Sequence, residues 1–234
     1  MAKPTKNLAF VIYPGIRLLD LVGSISILTS LSMGAGFRTA IVAEAPDVLP
    51  TDTPIKLMPP RAFADVPNPA ALVIVGGGSA ALDALNSAAL TRYVRSSAPN
   101  AEFVFGVGTG ALILAGLGLL NGRPATTDWA YAPVLERLGA TYVHQPWVDD
   151  GSIITAAGVS GAVDASLYLI DKLTNRKQAR MTQLFAEYDP EPPTGGLRWE
   201  TLSGARRAAL TPQQETIIRQ LEAPRPAVSA ALMS

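Results

Sequence analysis

The residues of this chain that could do chemistry are few, and they gather at the ends of three apolar runs. Asp20 lies in Tyr13-Pro14-Gly15-Ile16-Arg17-Leu18-Leu19-Asp20-Leu21-Val22-Gly23, where a Pro-Gly turn closes one run and a helix opens. A carboxylate between Leu19 and Leu21 is in apolar company, which raises its pKa and suits it to acid/base work. The same position also reads as an ordinary first-turn aspartate favoured by the helix dipole. Gly76, Gly77 and Gly78 follow Val73-Ile74-Val75. Glycines there let backbone N–H groups approach a ligand or a developing oxyanion, and they equally suit a tight turn with positive φ.

The third cluster is Phe105-Gly106-Val107-Gly108-Thr109-Gly110-Ala111. Gly106-x-Gly108-x-x-Ala111 imitates a dinucleotide fingerprint, but it follows the fourth strand rather than opening the first βαβ unit. Asp128 stands near the distance at which an acidic residue should end the next strand, yet Thr126-Thr127-Asp128-Trp129 reads as a loop entering a helix. The alternative is a nucleophile elbow, Gly-x-nucleophile-x-Gly, with Gly108 at the nucleophile's place. Glycine there eases the strained backbone and removes the reactive atom.

Whole chemistries are excluded by composition. The chain has no cysteine, so disulfides, cysteine–zinc sites and thiol catalysis are ruled out. His144 is the single histidine, in a strand-and-turn stretch, and a structural role is expected for it. No metal site and no cofactor are expected. Lys+Arg and Asp+Glu both number 19, so no basic field is available for nucleic acid, and a net charge of zero leaves self-association unopposed. The longest apolar stretch, Ala111–Leu120, is too short to span a bilayer, and no signal-peptide pattern precedes the first run. A cytoplasmic protein without membrane contact is expected.

The elements that must hold these residues follow from periodicity. Leu8–Tyr13, Thr39–Ala43, Ala71–Val75, Glu102–Val107 and Ser152–Ala156 read as strands buried on both faces. Helical stretches alternate with them at Leu18–Ser32, Ala80–Arg95, Thr109–Leu120 and Ser160–Thr174. Ser160 is expected to cap the last of these, which makes Asp164 a helix-start carboxylate, while Asp149-Asp150-Gly151 reads as a turn. This alternation predicts an α/β fold, a doubly wound and mostly parallel sheet with helices on both faces. Such sheets bind ligands beyond the carboxyl ends of their strands, where all three clusters lie. From Asp189 the chain turns to proline and glycine and reads as an extended arm. Thr211-Pro212-Gln213-Gln214 then opens a short helix to about Glu222, followed by a tail. The division expected is a domain over residues 1–193 and an appendage over 194–234.

Taken in order and spacing, several segments resemble the ThiJ/PfpI family, and most of all its isonitrile-hydratase branch. They are Tyr13-Pro14-Gly15…Leu19-Asp20-Leu21-Val22-Gly23, Val75–Gly78, Thr109-Gly110-Ala111, Ala115–Thr127, Ile154–Ser160, Asp164 and Glu187-Tyr188-Asp189-Pro190. The resemblance covers about residues 7–193. It implies a flavodoxin-like domain, a homodimer, and a small pocket between the elbow and the first helix. It also implies that Asp20 is the acid/base, that Thr109 and the amides near Gly76, Gly77 and Gly78 bind the ligand, and that Trp129 forms pocket wall. Gly108 falls where the family carries its cysteine, and Asp128 where the branch usually has histidine before the tryptophan. An introduced knockout, a binding-only descendant and chemistry without a covalent intermediate would each leave glycine there. Retention of Asp20, Thr109 and the glycine loop favours the last two. The expected function is a cofactor-independent lyase or isomerase acting on a small, largely apolar molecule. The alternative is a non-catalytic sensor. The C-terminal segment is too short and too weakly basic for a helix-turn-helix DNA reader.

Overall fold

The computed structural model describes residues 6–196. In chain order the strands are β1 (Lys6–Val11), β2 (Phe37–Ala43), β3 (Leu49–Pro50), β4 (Lys56–Leu57), β5 (Arg61–Ala62), β6 (Ala71–Ile74), β7 (Phe103–Val107), β8 (Pro124–Ala125), β9 (Thr141–Tyr142), β10 (Trp147–Asp150) and β11 (Ile153–Ala156). The α-helices are α1 (Leu18–Leu28), α2 (Ala80–Ala84), α3 (Ala88–Ser97), α4 (Gly110–Gly116), α5 (Ala132–Arg137), α6 (Val159–Leu173) and α7 (Arg176–Phe185).

One seven-stranded sheet runs β10-β11-β7-β6-β1-β2-β5, with every neighbouring pair parallel except β10 and β11. Its central strands are the near-continuous apolar runs of the sequence. Leu8, Phe10 and Val11 of β1 and all of β6 are buried, as strands covered on both faces must be. Helix α1 packs on α6 and α6 on α7, while α2 packs on α4 and α4 on α5, giving two helical layers. This is the expected doubly wound, flavodoxin-like α/β fold.

Several local expectations are corrected. The stretch 80–95 is two helices rather than one, because Ser87 turns extended (φ −76°, ψ 109°) and its hydroxyl accepts from Leu90 N–H to start α3. The first helix ends at Leu28 and tightens into a 3₁₀ turn over Thr29–Ser32. Asp149 and Asp150 belong to β10, and the turn is at Gly151, where φ is +74°. Asp149 accepts from Tyr168 and Asp150 from Arg123, so both carboxylates tie the hairpin to its surroundings. Helix α6 starts at Val159 with Gly158 before it, so Ser160 lies inside the helix and does not cap it. The loop at Thr126–Trp129 does enter a helix, α5, by way of a 3₁₀ turn, whereas α7 was not foreseen.

Residues 189–196 form neither helix nor strand, in keeping with an arm. The helix expected from Thr211 and the tail lie outside the described residues. Among the described residues no helix is long and apolar enough to cross a membrane.

Candidate active site

The turn after β1 aims α1 at the ends of β6 and β7. Gly15 (φ +84°) makes the turn, and its N–H donates to Pro50 O at 2.9 Å. Asp52 then accepts from Leu18 N–H at 2.9 Å and so caps α1 in place of Arg17, whose side chain makes no cap. The segment around β3 thus straps the start of the helix that carries Asp20.

Asp20 is fully buried, and neither carboxyl oxygen has a hydrogen-bond partner among the described residues. Arg17, one turn earlier on the same face, approaches Oδ2 only to 3.8 Å with its Nη1. That same Nη1 donates to Asp128 Oδ2 at 2.9 Å. Burial pushes the Asp20 carboxyl up to about 7; Arg17 opposes the rise, and the nearby Asp128 and Asp52 add to it. Asp128 is also raised by burial, against the pull of its Arg17 partner. The result is an acid whose titration is moved towards neutral pH, beside a salt-bridged carboxylate.

Gly108 has φ +53°, the left-handed turn that an elbow requires. A β-carbon there would stand 2.9 Å from Asp20 Oδ2 and 3.2 Å from Asp128 Oδ2. At Gly76 it would stand 2.4 Å from Asp20 Oδ2. Glycine at both positions therefore makes room for the carboxyl group. The space beside Gly108 is bordered closely by Asp20 and Asp128.

Thr109, also fully buried, accepts at its hydroxyl oxygen from Gly77 N–H at 2.9 Å and Gly78 N–H at 2.8 Å. Those two amides, expected to meet a ligand, instead anchor the glycine loop to the elbow. The Gly76 carbonyl accepts from Arg17 N–H at 2.7 Å, which joins the loop to α1. Thr127 donates to Gly108 O at 2.9 Å and holds the elbow from its other side. Trp129 follows Asp128 in the chain and is half-buried in a 3₁₀ turn over Trp129–Tyr131. His144 is exposed and lies 3.1 Å from the Tyr142 hydroxyl through Nδ1. Among the described residues no cluster of three His, Cys, Asp or Glu is placed to hold a metal ion.

Of the residues expected at the site, Asp20, Gly76 and Gly108 converge, and Gly77, Gly78 and Thr109 brace them. Arg17 and Asp128 were missed as members. The spacing of Arg17 and Asp20, three apart across the start of α1, was the available signal for the first.

This fold and this elbow define the class: the chain belongs to the DJ-1/PfpI family, which is matched over residues 6–172. It is 33% identical over 189 residues to an isonitrile hydratase of Pseudomonas putida, a match covering 80% of each chain. A ThiJ/PfpI family protein from Pseudomonas syringae superposes with a TM-score of 0.84 at 28% identity, covering 97% of this chain and 90% of that one. Drosophila melanogaster DJ-1beta shares the fold, with a TM-score of 0.72 at 17% identity over 80% of this chain and all of that one.

Two expected results arise directly from the geometry. An unfolded aspartate titrates near about 3.9, whereas folded Asp20 keeps its proton to about pH 7. Between those values the folded chain binds more protons than the unfolded one, so this group's contribution to stability is lost as pH rises through the window. Asp20→Asn should remove that slope and make the variant the more stable form at about pH 8. Urea midpoints for both proteins at about pH 5 and about pH 8 check this, and parallel pH dependences would refute it.

The second concerns Gly108→Cys. A family elbow implies a depressed thiol pKa, but here the new side chain would face the Asp20 and Asp128 carboxylates. Like charge disfavours a thiolate. The thiol should titrate at or above about 8.5, read by the pH dependence of iodoacetamide alkylation. A value well below that would show that Asp20 swings clear of the elbow.

Proposed function

We propose that the chain is a cofactor-independent lyase or isomerase acting on a small, largely apolar organic molecule, with Asp20 moving the proton. The observation that carries this reading is the Asp20 carboxyl itself: buried, without a hydrogen-bond partner among the described residues, and raised to about 7 beside the elbow. A group with its pKa near the working pH can both give and take a proton, which is the condition for efficient general acid/base catalysis. No covalent step is available at Gly108. Charge that develops on the substrate would be met by Arg17, which already reaches towards Asp20, rather than by the amides of Gly77 and Gly78.

The relative named isonitrile hydratase makes isonitriles and related unsaturated carbon–nitrogen compounds the first substrates to try. In heavy water, proton transfer through Asp20 should place deuterium in product or recovered substrate, and Asp20→Asn should abolish that incorporation. Turnover without deuterium at any carbon that gains hydrogen would sink the mechanism.

A second reading, a non-catalytic sensor, is favoured by one observation: Thr109 occupies two of the amides that an oxyanion would need. Under that reading ligands bind, no product forms, and Asp20→Asn alters affinity alone.

The working form we infer is a cytoplasmic homodimer. Leu19 and Val22 on α1 and Leu184 and Phe185 on α7 are exposed apolar residues, and Ser30 and Thr182 link the two regions at 2.9 Å. Light scattering should give twice the 24.5 kDa chain mass at micromolar concentration, and a monomer would remove the claim.

A further inference from the structure

Beyond the carboxyl ends of β1 and β2 lies a cavity of about 450 Å³ that Asp20 does not line. The glycine loop stands between the two places. Gly76 abuts Asp20, whereas Gly77 abuts the Tyr13 ring, and Tyr13 is part of the cavity wall. Its volume falls within the range of small-molecule sites. Ile12, Ala43, Phe63 and Leu90 supply buried apolar walls. Those walls are held in place: Phe63 stacks on Tyr93 at 4.6 Å and 7°, and the Tyr93 hydroxyl donates to Val66 O at 2.8 Å.

Among the described residues, the charged groups that line the cavity are all acidic. Glu44, Asp47 and Asp83 are exposed carboxylates along it, and none of the described residues that line it is basic. Ser87 donates to Glu44 at 3.0 Å and fixes that carboxylate against α3. An anion entering here would meet like charge on several sides. A neutral apolar molecule would use only the walls.

We propose that this cavity is a second ligand site, separate from the one at Asp20, and that it takes an organic ammonium compound. The apolar body would rest on Phe63, Leu90 and Ile12, and the cationic head would stay at the wet border among Glu44, Asp47 and Asp83. That placement suits a strongly hydrated charge, because the head group meets its partners without being stripped of water. The role of the site does not depend on the chemistry at Asp20.

The test uses the full chain and 2-phenylethylammonium as probe, with 3-phenylpropionate as an anion of similar shape. In ¹⁵N–¹H spectra the amine should shift amides of residues 43–47 and 80–90, and the anion should not. Asp47→Asn and Asp83→Asn, both on the surface, should each weaken the amine by about two- to fivefold, as exposed ion pairs do, and added salt should weaken it further. Ala84→Phe, which fills the cavity from α2, should abolish binding, while Asp20→Asn should leave it at the wild-type value. Equal binding of the anion, shifts centred on Arg17 and Asp20, no shift at all with millimolar amine, or full affinity in the doubly neutralised variant would each overturn the proposal. The two surface variants keep it falsifiable even where Ala84→Phe does not fold.

Discussion

Replacing Asp20 with asparagine is expected to lower turnover by about a hundred- to ten-thousandfold, the range that general acid/base groups supply, while ligand affinity stays near that of the wild type. Asparagine keeps the shape of the side chain and removes its titration. Thr109 cannot stand in, because its hydroxyl oxygen already accepts from Gly77 and Gly78. Asp128 is raised by burial too, but it is bound to Arg17 at 2.9 Å and could reach a substrate only by giving up that ion pair. The pH–rate profile of the wild type should bend near the Asp20 value of about 7, and the residual rate of the variant should lack that bend. A variant that turns over at the wild-type rate would end the case for Asp20 and leave the fold untouched.

Gly110→Ala is expected to have the largest effect on stability, a loss of about 3 kcal/mol. A β-carbon at Gly110 would lie 2.1 Å from Ile74 O, 2.9 Å from its carbonyl carbon and 3.2 Å from that of Val75. These are backbone atoms at the end of a central strand, and they cannot rotate away as a side chain would. Either α4 lifts from β6 or the strand end moves, and both disturb the loop that borders Asp20. Gly122→Ala is the fitting control: φ is +69° but nothing lies within 4 Å, so only the left-handed backbone penalty of about 1 kcal/mol applies. Urea midpoints compare the two, and a Gly110→Ala loss no larger than that of the control would contradict the close approach.

The central strands were legible because they are covered on both faces, which leaves an unbroken apolar run as their signature. The polar, surface-lying α7 carries no such signature, and its sequence, RKQARMTQLF, offers few apolar positions to set a period. The break at Ser87 was hidden for another reason: serine inside an apolar stretch reads as a tolerated helix residue until its side chain is seen capping α3. At the site, Asp20 was readable from its leucine neighbours. Its partner network was not, since Arg17 and Asp128 are 111 residues apart and the Thr109 bonds to the glycine loop span 31 and 32. Spacing along a chain reports only contacts within an element, and these contacts exist because three strands end side by side.

The closeness of Gly76 and Gly108 to one carboxyl oxygen bears on how such a site can change by descent. Asp20 Oδ2 lies 2.4 Å and 2.9 Å from where β-carbons on these two glycines would be. Once the acid has settled there, no substitution at either position is independent of it, so the effect of each mutation depends on where Asp20 already stands. Regaining a side chain at the elbow would require the Asp20 carboxyl to swing aside, a shift open to the far end of a side chain as it would not be to backbone. A new nucleophile would therefore re-aim the acid in the same step, so the elbow and the acid change as a pair.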